Sequence, residues 1–283
     1  MTHLTLAPLN SWVKLGHVDQ WDFGHGLRLS TPPAWLTNEF LGALSDRDRD
    51  EIRQSNLVLT VEHEKDDHAA GTWLFHILEL AIWLITPGAF GVTHLCHVET
   101  ANGNNAAWRG FRKLSRPASQ SDDTNNPITP NLLKEATPVF ERLADVSRNS
   151  STEFAARTLI LMLRISEREF RYVLLWFALE ALFGPENSGE ISHQLAERIA
   201  KLMGDDADSA YNLYRKVKKS YTLRSKIVHG MRIDTKKGLP LAELQMLEGL
   251  VRKAMVRILT NDELYRTFGC ASREEYLRRL PFS

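Results

Sequence analysis

The chain has few of the residues that build disulfide frameworks or zinc knuckles. Its 283 residues include only two cysteines, Cys96 and Cys270, which lie far apart and form no CxxC pair. No basic region followed by an apolar run opens the sequence, and the most apolar stretch, residues 73–85, is too short to span a bilayer and carries Glu79 and His76. We therefore expect a cytoplasmic protein without a membrane span.

Signatures of several enzyme classes are also missing. The sequence has no Walker loop, no dinucleotide fingerprint and no GxSxG elbow. In the segment from His63 to His68 the second histidine comes one residue too late for an HExxH zinc site. His94 and His97 flank a cysteine but lack a second cluster that would complete four ligands, so we expect a strand with one exposed histidine. We predict neither a metal nor a cofactor.

The formal net charge of zero hides an asymmetry between the two halves. Residues 1–150 contain 13 Lys and Arg against 18 Asp and Glu, which leaves the C-terminal half basic. Within it, residues 209–237 hold nine Lys and Arg against Asp234 alone. Such a segment attracts polyanions such as RNA, although a solvated helix face is the simpler explanation of a charge run.

Apolar periodicity predicts a mainly α fold with two domains. Residues 1–130 contain both helical and strand patterns and form a mixed α/β N-terminal domain. This domain ends in a polar, proline-containing connection, residues 117–130. Its predicted strands are 57–63 and 92–98, and its predicted helices are 38–54 and 69–85. Residues 131–283 form an antiparallel helical bundle. The predicted helices of this half are 130–146, 151–164, 167–184, 189–203, 208–230, 240–260, 261–267 and 271–280.

The helix 208–230 carries the most informative decapeptide, which runs from Tyr221 to Gly230. Asp208 or Ser209 can cap its start, and Gly230 can supply the left-handed residue that ends it. Along this helix Tyr221, Ser225 and His229 line one polar stripe, with Arg224 about 100° to its side. An arginine and a titratable imidazole held together can catalyse RNA cleavage without a metal ion.

A second candidate residue is Glu180, the only charge in an otherwise apolar helix, residues 172–183. Because an unpaired buried carboxylate is unfavourable, Glu180 either pairs with Arg224 or Arg198 or becomes protonated. A structural ion pair that only orients the arginine is the alternative to a catalytic role.

Three blocks of sequence, 176–184, 190–200 and 221–230, together resemble the HEPN superfamily, in particular its ApeA-like branch. The resemblance implies a small helical bundle that pairs two-fold, so that both copies of the Rx4H motif meet in one cleft. It implies a metal-independent endoribonuclease in a toxin system or in antiphage defence. Ser225 is a departure, because Asn, Asp or His often follows the arginine in active members.

By this resemblance, His229 would act as general base or acid at the ribose 2′-hydroxyl, and Arg224 would stabilise the charge of the phosphorane. The products would be a 2′,3′-cyclic phosphate and a 5′-hydroxyl. Glu180, Ser225 and Tyr221 would support the site, and the candidate RNA contacts are Lys218, Lys219, Lys226 and Arg198.

Two other functions stay open. The bundle could be a catalytically inactive scaffold for RNA, a nucleotide or a protein partner, or the N-terminal half could act on a small nucleotide signal. We expect the N-terminal domain to sense or to regulate, through a partner that the sequence does not identify.

Overall fold

The computed structural model describes residues 2–9, 16, 18–64, 67–88, 90–101, 105–115, 127–185, 190–231 and 238–280. The chain divides into two compact units, Met1–Ala144 and Asp145–Ser283. The first unit is mixed α/β, and the described part of the second contains helices without strands. Within the predicted connection 117–130, residues 117–126 lie outside the described part of the chain.

The first unit is built on one antiparallel sheet. Its strands are β1 Thr2–Pro8, β2 Trp21–Gly24, β3 Leu27–Ser30, β4 Val58–His63, β5 His94–Ala101 and β6 Asn105–Lys113. Their order across the sheet is β2-β3-β4-β1-β5-β6. The hairpin between β2 and β3 turns on His25 and Gly26, whose φ angles of 49° and 74° are those of a turn that twists with its strands.

Helices and buried apolar side chains cover the sheet. The helices of this unit are α1 Asp46–Arg53, α2 His68–Ile85 and α3 Pro130–Ala144. Helix α2 packs on β1 and β4, while Leu41 and Ile52 pack with Leu6 and Val98 in a buried cluster. The predicted helix 38–54 is two elements, a 3₁₀ turn and α1. The Ser45 hydroxyl accepts a hydrogen bond from the Asp48 amide and so caps the start of a new helix.

Helix α3 belongs to the first unit, although we had assigned residues from 131 onward to the helical domain. It packs along α2 and contacts β2, where the Trp21 indole donates to the Thr137 hydroxyl at 3.0 Å. The rings of Phe23 and Phe140 lie 5.9 Å apart, edge to face. These contacts with the sheet place the division after Ala144 and not after residue 130.

The second unit is organised around one central helix. Its elements are α4 Ser151–Met162, α5 Arg168–Phe183, α6 Ile191–Met203, α7 Ala207–Val228, α8 Leu241–Thr260, α9 Asp262–Phe268 and α10 Arg273–Arg279. Helix α5 packs against α4, α6, α7 and α8, and its Leu175, Trp176 and Leu179 have no exposed surface. The apolar sequence of this helix predicted its central position. No helix in the described part of the chain is long and apolar enough to cross a membrane.

Candidate functional site

Helix α7 places the histidine of the decapeptide at its last turn. The helix begins at Ala207 and is capped by Asp206, whose carboxylate accepts the Ser209 amide at 2.7 Å, so Asp208 and Ser209 lie inside the first turn. At the other end Gly230 has a φ of +65°, as its sequence position predicted. The amide of Met231 donates to the Lys226 carbonyl at 2.8 Å, which closes the helix around His229.

Arg224 is held between α7 and α5. Its Nη2 donates to Glu180 Oε2 at 3.0 Å and lies 2.9 Å from Oε1. Oε1 of Glu180 is thus in ion-pair contact only, and neither it nor the buried Nε of Arg224 has a hydrogen-bond partner in the described chain. The Phe177 and Tyr221 ring centroids lie 5.6 and 5.5 Å from the guanidinium carbon. Glu180 therefore pairs with Arg224, one of the two arginines that the sequence offered.

Burial sets the protonation of this cluster. Loss of solvent raises the pKa of the Glu180 carboxyl above its usual range, while the charge of Arg224 pulls it down. Burial also raises the pKa of Tyr221, and the neighbouring Glu180 charge adds to that rise. Arg224 therefore offsets part of the free energy that burial adds to ionising the Glu180 carboxyl.

Replacing Arg224 with alanine should destabilise the fold in a pH-dependent way. The pKa of Glu180 is raised in the folded state. Its contribution to stability is therefore full below the pKa of the unfolded chain and is lost as the pH rises through the folded-state pKa. Without Arg224 that decline becomes larger. We expect a loss of roughly 1–3 kcal/mol at pH 7, less than for a fully buried pair, and a smaller loss near pH 4. Urea unfolding at both pH values measures it.

The control for this prediction is a second change at Glu180. In the Arg224→Ala, Glu180→Gln double variant the carboxyl is gone, so the extra pH dependence should disappear. Equal losses for Arg224→Ala at the two pH values would show that the arginine acts through packing alone.

His229 points away from this cluster. It is exposed, and its imidazole has no hydrogen-bond partner in the described part of the chain. It comes five positions after Arg224, which on an ideal helix corresponds to about 140° around the axis. Ser225 is half-buried, and its carbonyl accepts the His229 amide at 3.1 Å. Within one chain, Arg224 and His229 thus face different directions.

The three predicted lysine contacts lie on the surface of α7. The Lys218 ammonium is 5.5 Å from the Tyr214 ring centroid, and Lys219 is 3.3 Å from a carboxylate oxygen of Glu243. Lys226 is half-buried and has no ion-pair partner in the described chain. All three are positioned to contact an anion that approaches this helix.

Arg198, the fourth predicted RNA contact, is unavailable. It is only 5% exposed, and both its terminal nitrogens donate to Glu274, at 3.1 and 2.7 Å. The Phe183 carbonyl accepts a further bond at 3.1 Å. Sequence reasoning missed this pairing because Glu274 comes 76 residues later, on α10. We therefore withdraw Arg198 as an RNA ligand.

One group in the first unit has metal-ligand chemistry. The ligand atoms of Asp48, Glu51 and His94 lie within 4.8 Å of one another. The Lys113 ammonium bonds to Asp48 and holds the pKa of its carboxyl well below the usual range. His94 is fully buried and His97 is half-buried, so neither is the exposed strand histidine that we expected, and the Nδ1 of His94 is 2.9 Å from the Thr93 hydroxyl. Lys113 already supplies the cation that the carboxylate needs.

Comparison with models of protein families, with curated proteins and with solved structures finds no match to this chain. The resemblance to the HEPN superfamily rests on the three sequence blocks. Block 176–184 covers the C-terminal half of α5 and the residue after it, and block 190–200 covers α6 from the residue before it. Block 221–230 covers the end of α7 and the two residues after it.

Proposed function

We propose that this protein is a metal-independent endoribonuclease of the HEPN type, acting in antiphage defence or in a toxin system. The observation that carries the proposal is the exposed His229 imidazole at the end of a basic helix whose Arg224 is fixed by Glu180. Support also comes from packing, because the helices that bear the three blocks, α5, α6 and α7, contact one another in every pair.

In this mechanism His229 removes the proton of a ribose 2′-hydroxyl, whose oxygen attacks the adjacent phosphorus. The bond from phosphorus to the 5′-oxygen breaks, that oxygen takes a proton from water, and the His229 imidazolium returns its proton to the solvent, so the products are a 2′,3′-cyclic phosphate and a 5′-hydroxyl. Arg224 stabilises the added negative charge of the phosphorane. Glu180, Phe177 and Tyr221 fix the guanidinium so that little conformational freedom is lost when RNA binds.

The proposed enzyme is a homodimer, because the two motif residues of one chain face different directions. A second copy can place its own imidazole opposite Arg224. Exposed apolar residues support such pairing: Phe170 and Phe177 lie seven residues apart on one side of α5 and are 66% and 38% exposed. Phe177 also contacts Arg224, so a subunit that covers this face adjoins the arginine.

Replacing Phe170 with aspartate should separate the dimer, because a charge in an apolar interface loses its solvation. The fold should keep its stability, since Phe170 is largely exposed. Sedimentation velocity at micromolar concentration should show a dimer for the wild type and a monomer for the variant. Tyr211→Asp on α7, which changes a ring that is 62% exposed, is the matched control and should stay dimeric. A monomeric wild type would contradict the proposal.

The decisive experiment is RNA cleavage in the presence of EDTA. Purified protein should cut single-stranded RNA, and the products should carry 2′,3′-cyclic phosphates. The same sequence with 2′-O-methyl groups should stay intact, because it lacks the attacking hydroxyl. RNA left whole under all conditions, or products ending in 5′-phosphates, would rule out this mechanism.

A second candidate function is a catalytically inactive scaffold that binds RNA, a nucleotide or a protein partner. The observation that favours it is the commitment of Arg224, whose side chain is only 17% exposed in its pair with Glu180. Such a scaffold binds RNA without cutting it, so the assay above separates the two functions.

A further inference from the structure

A small cleft lies between α7 and α8. Its volume is about 270 Å³, and it is lined by Lys219, Thr222, Leu223, Lys226 and Glu243. Pockets for drug-sized ligands measure about 300–1,000 Å³. The cleft lies just below that range and has room for a phosphate group.

The charges of the cleft suit an anion. Lys226 has no ion-pair partner in the described chain, and Lys219 is joined to Glu243 only at 3.3 Å with a side chain that is 80% exposed. Exposed pairs of this kind are weak and easily exchanged. The Thr222 hydroxyl already donates its proton to the Lys218 carbonyl at 3.1 Å, so it has none to give a phosphate. The two ammonium groups are the donors that remain.

The cleft lies on the same side of α7 as His229. Thr222 and His229 are seven residues apart, which returns to nearly the same direction around a helix. Lys226 precedes His229 by three residues, or about 4.5 Å along the axis. Arg224 points to a different side, toward α5. A strand that presents one phosphate to His229 passes the mouth of this cleft.

We infer that the cleft binds a phosphate of the RNA strand next to the scissile one, an inference that rests on the proposed function. Lys226 is the main contact. Glu243 competes with RNA for Lys219, so it weakens the binding of polyanions in general. A strand that brings a phosphate into the cleft can displace Glu243 from Lys219 and is therefore favoured.

Binding of a fluorescent single-stranded RNA tests the inference, with EDTA present and with the His229→Ala chain as parent so that no cleavage occurs. Adding Lys226→Ala should raise Kd about five- to tenfold and lower the slope of log Kd against log salt by about 0.7, the value for one phosphate contact on a single strand. Adding Glu243→Gln should lower Kd about two- to fivefold, because it frees Lys219. Lys253→Ala, which removes an exposed lysine elsewhere on α8, is the matched control and should change Kd less than twofold.

Each result decides the inference. An unchanged Kd for Lys226→Ala, or an equal loss for Lys253→Ala, overturns it, as does weaker binding by Glu243→Gln. If the wild type cuts RNA and Lys226→Ala binds like its parent, the cleft is wrong and the nuclease stands. If Lys226→Ala weakens binding as predicted but the wild type does not cut, phosphate binding in the cleft stands and the nuclease fails. A parent that binds no RNA overturns the inference outright.

Discussion

Replacing His229 with alanine is expected to lower the rate of RNA cleavage by about 10²- to 10⁴-fold, the range that general acid–base catalysis contributes. The effect should fall on kcat, because the imidazole acts on the reacting hydroxyl and not on RNA binding. Stability should change little, since His229 is exposed at the helix end and its imidazole has no hydrogen-bond partner in the described chain. Single-turnover cleavage with saturating protein and EDTA measures this rate.

A second histidine of the same unit provides the control for this variant. His193 is also exposed, and its ring bonds to the Tyr214 hydroxyl at 2.8 Å on the neighbouring helix. His193→Ala removes an imidazole of the same chemistry and should cut RNA within about twofold of the wild type. Cleavage that persists at full rate in His229→Ala would mean that the site is elsewhere or that a contaminating nuclease is present.

Replacing Arg171 with methionine is expected to destabilise the protein by about 3–5 kcal/mol, the penalty for leaving a buried charge without its partner. Arg171 has no exposed surface, and its Nη2 donates to Glu248 at 2.9 Å. Its Nη1 also donates to the carbonyls of Met162 and Ile165, at 3.2 and 3.1 Å. The variant thus removes the buried ion pair of Glu248 and one donor to each carbonyl, although the Ile165 amide still donates to the Met162 carbonyl and Arg252 stays close to Glu248. Urea unfolding at pH 7 gives the loss.

Two further variants make the Arg171 result interpretable. Arg171→Met with Glu248→Leu replaces the ion pair by apolar side chains and should recover most of the stability, because the stranded carboxylate is gone. Arg279→Ala breaks an exposed pair with Glu275, whose side chains are 79% and 66% exposed, and should cost less than about 1 kcal/mol. A loss below about 1 kcal/mol for Arg171→Met would contradict the prediction and show that Arg252 or water compensates the Glu248 charge.

Local signals predicted much of the second unit. The apolar pattern of α5 and the left-handed conformation of Gly230 depend only on residues close in sequence. Both are found where the sequence predicts them. Long-range partners were less accessible. The sequence offered two arginines to Glu180, and only the packing of α7 on α5 selected Arg224, because Arg198 is taken by Glu274. In the first unit the predicted strands correspond to β4 and β5, the sequence predicts only irregular or strand-like structure for the first 35 residues, and β6 was not predicted. The pairing of β6 with β5 shifts register between His97 and Val98.

The amino-acid sequence by itself determined the local features: where α7 ends, that its surface is basic, and that one carboxylate on α5 required a cation. These follow from backbone preference and from the free energy of burying charge, which depend on neighbouring residues. Tertiary structure alone decided which cation Glu180 received and that α3 belongs with the sheet. Such outcomes depend on how helices distant in sequence pack, and side-chain direction is fixed only when that packing is complete.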